Sequence, residues 1–350
     1  MPHRKKDIVV AVTGLNAIDS PGPGIAVIRA IRESPDFNVR VIGLSYEALE
    51  PGIYMRDLVD RTYQIPYPSA GTDALFSRIE YINAEEHVDV LIPNFDAELF
   101  NFIRISPDLE RIGIHTFLPS MESFEARDKI NLSRFGKKHG LSVPEDKVIS
   151  SPAEIRSIAA KLGFPVVVKG KFYDAIICNT LEQAEKAFYK LQAKWGVPVI
   201  IQEYISGTEM NIAVLGDGRG NAISIVPMRK LYITDKGKAW AGVTIDESLL
   251  TDLAGKFTKA TKWRGGCEIE IMMTSKREPM IMEVNPRFPA WIYLTAGAGQ
   301  NQPAALLRLA LGQEVKPYES YEIGKMFIRY SWDMIVDISE FHKISGNGEL

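Results

Sequence analysis

PMIMEVNPRF, residues 279–288, runs from an apolar segment, Met280-Ile281-Met282, into Glu283, Asn285 and Arg287 at alternate positions. On a β-strand, side chains at i, i+2 and i+4 share a face. A carboxylate, a carboxamide and a guanidinium therefore point the same way at a strand's end. Two readings of that face stay open on this stretch alone. It is a solvent-facing polar stripe on an edge strand, or a polyphosphate site with two hard oxygen ligands and a guanidinium fork.

Working outward, Glu270 lies inside CEIEIMM, 13 positions before Glu283, and TSKREP (274–279) joins the two runs. A hairpin through TSKREP sets two carboxylates side by side. Like charges so placed are unfavourable unless a cation lies between them. Mg²⁺ takes one or two carboxylates together with phosphate oxygens. Farther upstream, Lys169 closes the apolar run PVVVK, and Glu203 sits in IIQEYISGTE with Glu209 six positions later.

Composition limits the alternatives. At 350 residues the chain is long enough for two or three compact units, and 46% apolar with 24% charged residues argues against disorder. The net charge of −3, with both signs mixed, leaves no polybasic footprint for nucleic acid. HRKK (3–6) reads as a solvated basic terminus. Cys178 and Cys267 are the only cysteines and lie outside any CxxC spacing, so a disulfide framework or structural zinc is not expected. The five histidines form no pair at metal-ligand spacing. No apolar run reaches membrane-spanning length and no signal-peptide pattern opens the chain, which predicts a cytoplasmic protein without a membrane partner.

The first third alternates strands and helices. DIVVAVTG (7–14), VRVIGLS (39–45) and VDVLIP (88–93) read as buried strands, with helices at 24–34, 72–86 and 96–105. This pattern predicts a parallel sheet whose ligands gather at the carboxyl ends, near Gly14, Ser45 and Pro93-Asn94-Phe95-Asp96. PSMESFEARDKINLSRFGKKHG (119–140) reads as one helix, capped by Ser120 or Ser123 and stopped by Gly140. A second αβ block follows: helix 154–163, strand 164–171, helix 181–196 and strand 197–207. Beyond it the pattern is mostly of strands, then a helix from Gln302 to Gly312. MFIRYSWDMIVDI (326–338) is one more β-like run, followed by a polar tail.

Together, EVNPRF, IIQEYISGTE, ARDK (126–129) and FPVVVKGK (164–171) resemble the ATP-grasp superfamily, in the branch of carbamoyl phosphate synthetase, biotin carboxylase and related small ligases. The resemblance extends over residues 5–312. It implies an α/β, ATP-grasp fold: an N-terminal Rossmann-like pre-ATP-grasp domain (1–118), a linker helix with a small lid domain (119–205), a larger α+β domain carrying the metal site (206–318), and a C-terminal strand and tail (319–350). It further implies that Lys129 and Lys169 contact ATP phosphates, that Glu203 accepts from the adenine amino group beside the backbone of Tyr204 and Ile205, and that Glu209 binds ribose. Glu270, Glu283 and Asn285 are the implied ligands of Mg²⁺, with Mn²⁺ an acceptable substitute, and Arg287 faces the transferred phosphoryl group. The sequence departs from the family after Lys169, where KGKFYDAIICN lacks the usual glycine-rich loop; either Lys171 replaces the backbone donors as a point charge, or the lid grips phosphate weakly without substrate. Glu268 is a rival to Glu270 on the same strand face.

Arg229, in VPMRKLY, is a candidate for phosphate or a substrate carboxylate, or else belongs to a solvated hairpin. Trp240 and Trp291 read as core residues first and pocket walls second. DSPGPG (19–24) lacks GxGxxG spacing, which leaves a helix-N-terminal anion site or a plain turn. GAGQN (297–301) is a carboxylate-binding loop or a simple connection. The implied activity is an ATP-dependent carboxylate–amine ligase acting on small-molecule or peptide substrates through an acyl phosphate. Rival readings are a bicarbonate-using carboxylase or phosphoryl-transfer enzyme and a catalytically inactive ATP-binding partner; a dehydrogenase fits less well. The C-terminal run either completes the large domain or serves a homodimer.

Overall fold

A computed structural model of the chain describes residues 6–17, 20–171 and 174–350. The basic residues His3 to Lys5, Asp19 of DSPGPG, and Phe172-Tyr173 after Lys171 lie outside the described residues. The chain divides into two compact units. One comprises Met1–Met121, Asn211–Glu268 and Asn285–Leu350; the other comprises Glu122–Met210 and Ile269–Val284.

The first unit opens with β1 (Lys6–Val12), α1 (Pro23–Arg32), β2 (Phe37–Ser45), β3 (Arg61–Gln64), α2 (Thr72–Glu86), β4 (Val90–Ile92) and α3 (Asp96–Arg111). The four strands form a sheet in the order β3-β2-β1-β4, parallel throughout. Period-2 alternation sends Val10, Val12, Val41, Val90 and Ile92 to one face with Val27, Ile28 and Ile31 of α1. Ala11, Ile42, Leu44 and Leu91 go to the other face, with Leu75, Ile79 and Ile82 of α2 and Phe102, Ile105 and Leu109 of α3. A sheet covered on both faces needs nearly continuous apolar strands, and the three expected strands show this pattern. The short β3, RTYQ, does not, and sequence periodicity passes over it.

The expected single helix over 119–140 is instead two. α4 (Met121–Ala126) and α5 (Leu132–His139) are separated by a 3₁₀ turn at Lys129–Asn131. Asp128 takes an extended conformation (φ −53°, ψ 143°), so the helix cannot run through ARDK. Gly140 ends α5 in the left-handed region (φ 64°), where a side chain is disfavoured. The second unit continues with β5 (Asp146–Ile149), α6 (Ile155–Leu162), β6 (Val166–Gly170), β7 (Ala175–Cys178), α7 (Leu181–Trp195) and β8 (Val199–Glu203). Its antiparallel sheet has the order β5-β8-β6-β7. Val166, Val168, Cys178, Val199 and Ile201 pack with Ile155 and Ala159 of α6 and Ala184, Phe188 and Leu191 of α7. By alternation Lys169, Gln202 and Asp146 take the opposite face, and Gln202 stands in register with both Asp146 and Val167.

The remaining elements are β9 (Gly207–Asp217), β10 (Ala222–Ile233), β11 (Ala239–Thr244), α8 (Ser248–Thr261), β12 (Arg264–Thr274), β13 (Pro279–Asn285), α9 (Tyr293–Gly297), α10 (Gln302–Ala310), β14 (Met326–Ile328) and α11 (Ile338–Asn347). Six strands form one sheet, β13-β12-β9-β10-β11-β14. β12 and β13 are neighbours joined through TSKREP, where the Thr274 N–H donates to the Glu278 carbonyl. Two expectations need correction. The stretch after β11 holds α8, which buries Leu250, Leu253, Ala254 and Phe257 at helical spacing. The run 326–338 holds only three strand residues, and its polar tail is α11, capped by the Asp337 side chain on the Ser339 N–H. The chain end then pairs with β3: Thr62 and Leu350 exchange backbone hydrogen bonds at 2.7 and 2.9 Å.

Candidate active site

In the second unit, the turn after Asp128 presents Lys129, whose Nζ lies 3.2 Å from Oε1 of Glu283 on β13. Lys169, half-buried at the end of β6, completes a charged group with them. Burial holds its ammonium below the ordinary lysine pKa; Lys129 pushes the same way, while Glu283, Glu270 and Asp146 pull against it. Two lysines and two half-buried glutamates of β12 and β13 thus act on one another. Asp146 adds a carboxyl that burial raises to about 6, against the backbone N–H of Ser133 and the charge of Lys169. Its Oδ2 and the Oε1 of Gln202 are buried and have no hydrogen-bond partner. These orphaned acceptors share the face of Lys169, the face turned away from α6 and α7.

Along the strand after that face, Glu203 is occupied: its Oε2 accepts from the Glu145 N–H at 3.2 Å, closing the end of the β5–β8 pair. Tyr204 is exposed, Ile205 half-buried and Glu209 exposed on β9. Lys171 follows β6 directly before the residues outside the description.

In the first unit, the strand exit Asn285-Pro286-Arg287-Phe288 is held by its neighbours. Phe288 is buried, and a side chain on Gly266 would come within 2.4 Å of its ring, so glycine there makes the space. Arg287 donates through Nε to Oδ2 of Asp96 at 2.9 Å, at the start of α3, and its Nη1 lies 3.6 Å from Oε2 of Glu268. Glu268 is buried and accepts from Asn211 Nδ2 (2.7 Å), Trp291 Nε1 (2.7 Å) and Asn285 Nδ2 (3.2 Å). It is the hub of a buried polar network. Arg329, beyond β14, donates to Ser20 Oγ; burial lowers its pKa to about 10, opposed by the charge of Glu268. Arg229 lies apart from this network, exposed on β10 opposite Val243.

At the carboxyl ends of the parallel strands, Glu98 is fully buried and accepts from Thr13 Oγ1, the Tyr46 hydroxyl, and the N–H groups of Asn94 and Phe95. Burial raises its pKa, and those donors offset part of the rise. Glu50 is pushed up to about 7, again by burial. DSPGPG leads into α1, whose N-cap, Gly22, makes no side-chain cap bond.

Sequence reasoning passes over Asp96 as the partner of Arg287, and over Arg329, Asp146 and Gln202. Asp96 has one signal, its place just past a strand's carboxyl end. The others carry none, because only the packing shows that their polar atoms are buried.

The donor set suits the implied metal. Within the second unit Glu270 and Glu283 offer only hard oxygens, which fit Mg²⁺ better than zinc. Among the described residues no three His, Cys, Asp or Glu side chains gather to hold an ion. Among the described residues, too, no helix is long and apolar enough to cross a membrane.

Comparison with known proteins agrees with this architecture. Residues 196–330 match the family model described as ATP-grasp in the biosynthetic pathway with Ter operon. A D-alanine–D-alanine ligase from Bordetella petrii is 25% identical over 194 residues, covering 51% of this chain and 60% of that protein. The N-terminal section of the carbamoyl phosphate synthase large chain from Methanopyrus kandleri is 25% identical over 307 residues, 80% of this chain and 52% of that protein. The chain thus spans between about half and three fifths of the length of these curated relatives. Among solved structures, the biotin carboxylase domain of Hydrogenobacter thermophilus 2-oxoglutarate carboxylase, a dimer with MgADP, ADP and bicarbonate, superposes with a TM-score of 0.70 at 20% identity, covering 91% of this chain and 73% of that one. N5-carboxyaminoimidazole synthetase from Staphylococcus aureus gives 0.68 at 14% identity, covering 91% and 81%. The fold is that of the ATP-grasp proteins. Residues 196–330 are thus similar to an ATP-grasp family, and the solved structures share the fold.

Proposed function

We propose that the chain is an ADP-forming carboxylate–amine ligase that activates a small acid, amino acid or peptide carboxylate as an acyl phosphate. The observation that carries this reading is the meeting of Lys129, Lys169, Glu270 and Glu283 in the second unit. Paired lysines beside paired carboxylates suit a polyphosphate together with a divalent cation. The orphaned acceptors of Gln202 and Asp146 suit the donors of a nucleotide base. In the proposed assignment Lys129 and Lys169, with Lys171, bind ATP phosphates, Glu203, Tyr204 and Ile205 lie along the base, and Glu209 binds ribose. Glu270, Glu283 and Asn285 hold Mg²⁺ or Mn²⁺, which when bound neutralises phosphate charge.

The chemistry needs little more from the chain. A substrate carboxylate oxygen attacks the γ-phosphorus as the bond to ADP breaks. The amine nitrogen then attacks the acyl carbon, the C–O bond to phosphate breaks, and the nitrogen loses a proton. Arg287, oriented by Asp96 and Glu268, supplies positive charge where the phosphoryl group and acyl phosphate form. Arg229, exposed, is proposed as a contact to a substrate carboxylate. The domain division at 118, 205 and 318 is kept as part of this reading, as are a cytoplasmic location and a homodimer. The family model's description supports a biosynthetic setting.

The test is to trap the intermediate. Incubation with Mg·ATP, hydroxylamine and a pool of amino acids and small acids is expected to yield a hydroxamate and ADP, lost in Glu283→Gln. Release of AMP instead of ADP would overturn the phosphoryl-transfer assignment.

A further inference from the structure

Within the first unit, β14 pairs antiparallel with β11, Phe327 in register with Gly242 and Ile328 with Ala241. Alternation turns Phe327 and Arg329 to one face, opposite to Ile328. Phe327 packs against the core cluster that holds Met228, and a side chain on Gly242 would come within 2.8 Å of its ring. The ladder runs one residue past β14, where the Arg329 N–H donates to the Trp240 carbonyl at 3.0 Å. Arg329 therefore leaves the strand on the core side of the sheet, its guanidinium 5.5 Å from the centre of the Phe327 ring.

A guanidinium carries five N–H donors, and a half-buried one needs acceptors or a counter-charge. Among the described residues Arg329 has one side-chain hydrogen-bond partner, Ser20 Oγ, which accepts from Nη1. Only the more distant charge of Glu268 opposes its burial. Glu268 is already committed: Oε1 accepts from Asn211 and Trp291, and Oε2 from Asn285 with Arg287 Nη1 at 3.6 Å. Arg287 has Asp96 as well, whereas Arg329 has no carboxylate of its own. Ser20 is buried and keeps its hydroxyl proton for a further acceptor. The backbone of DSPGPG has little to add: the N–H groups of Gly22 and Gly24 go to the Asn16 and Gly14 carbonyls, and Pro21 and Pro23 have none. Asn211 shows the opposite need. Its Nδ2 donates to Glu268, and its Oδ1 is buried without a donor.

We propose that this cluster seats an amino acid, the amine substrate of the ligase, with its carboxylate on Arg329 and Ser20 and its nitrogen on Asn211 Oδ1. The inference rests on the ligase reading above and names the class of amine which that reading leaves open. One guanidinium fork and one hydroxyl match a planar, singly charged carboxylate, which takes parallel N–H···O bonds. An amine N–H is the donor that Asn211 Oδ1 lacks. A simple amine would leave Arg329 unpaired, and a simple carboxylate would leave Asn211 unpaired. An α-amino acid carries both groups on a single carbon. Arg287 also meets Glu268, so a nitrogen held by Asn211 belongs to the same polar network as the arginine proposed to face the acyl phosphate.

The test compares the common amino acids with their amides, which keep the nitrogen and lose the carboxylate charge. Titration calorimetry on the full chain should find at least one amino acid that binds at least tenfold more tightly than its amide. Arg329→Gln should erase that preference and Ser20→Ala should reduce it, with native circular dichroism in both variants. Turnover gives a second readout. In the hydroxylamine assay the bound amino acid should divert acyl groups from hydroxamate into its own amide, and Arg329→Gln should need at least tenfold more of it to do so. Amino-acid binding that depends on Arg329, without any hydroxamate, would keep the assignment of Arg329 and remove the ligase reading. A protein that prefers no amino acid to its amide overturns the proposal, and hydroxamate formed by that protein would leave the ligase reading standing. A preference that both variants retain in full for every amino acid overturns it too.

Discussion

The Nζ of Lys129, in the turn after α4, lies 3.2 Å from Oε1 of Glu283 near the end of β13. The two are 154 positions apart in the chain and meet because ARDK breaks its helix at Asp128 while EVNPR ends its strand. An ion pair so placed neutralises a carboxylate that is otherwise available to a cation. Glu283→Gln is therefore expected to remove the increase in ATP affinity on adding Mg²⁺, and to lower turnover by at least 100-fold, while ATP without metal binds as tightly or better because a carboxylate charge beside Lys129 is gone. Calorimetric titration with and without Mg²⁺ checks it; an unchanged metal dependence removes Glu283 from the site.

Lys169 predicts a proton linkage. Burial depresses its pKa, and a bound phosphate raises it again, so nucleotide binding should take up protons at pH values near and above the depressed one. Affinity should fall as pH rises through the depressed value, earlier than for an ordinary lysine near 10.4. Titration in two buffers of different ionisation enthalpy measures the uptake, and Lys169→Met should abolish it along with about tenfold of affinity.

Asp146 links stability, rather than affinity, to pH. Its folded pKa of about 6 lies above the unfolded value near 3.9, so the folded state holds the extra proton between those limits. Stability contributed by this group is present below about pH 4 and falls as pH rises to about 6. Asp146→Asn should raise the unfolding free energy at pH 7, by at most about 3 kcal/mol, and do little at pH 4. A gain that is equal at both pH values would mean another cause.

Glu268 and Glu270 should separate cleanly. Removing Glu268 takes an acceptor from Asn211, Asn285 and Trp291 and a carboxylate from beside Arg287, so Glu268→Ala is expected to cost about 3–5 kcal/mol. Glu270, half-buried in the lysine group, should cost under about 1 kcal/mol as Ala yet abolish the Mg²⁺ response. Chemical denaturation paired with the metal titration distinguishes the two, and a stable Glu268→Ala without Mg²⁺ response would reverse their roles.

Much of this was legible in the chain. The buried strands β1, β2, β4, β6 and β8 are written as apolar runs, because a strand covered on one or both faces must be apolar at every covered position. β3 is short and mostly polar, and β7, though apolar throughout, has only four residues, so neither shows a period stronger than a loop's. α8 shows its spacing of Leu250, Leu253, Ala254 and Phe257 plainly, but it lies among strands whose apolar runs mask it. The ARDK break depends on one backbone conformation at Asp128, which mixed helical residues on either side conceal.

By itself the sequence determined the alternation that puts Glu283, Asn285 and Arg287 on one face, the hairpin through TSKREP that makes β12 and β13 neighbours, and the apolar stripes that hold the sheets. These are local consequences of a period of two and of short connections, which neighbouring residues dictate. Only the tertiary structure decided that Asp96 meets Arg287, that Glu268 is a buried hub, that Gln202 and Asp146 bury acceptors without donors, and that β14 ends its sheet with an apolar face exposed. Burial and partnership between residues distant in the chain depend on how whole elements pack, and no local pattern in a sequence carries that information.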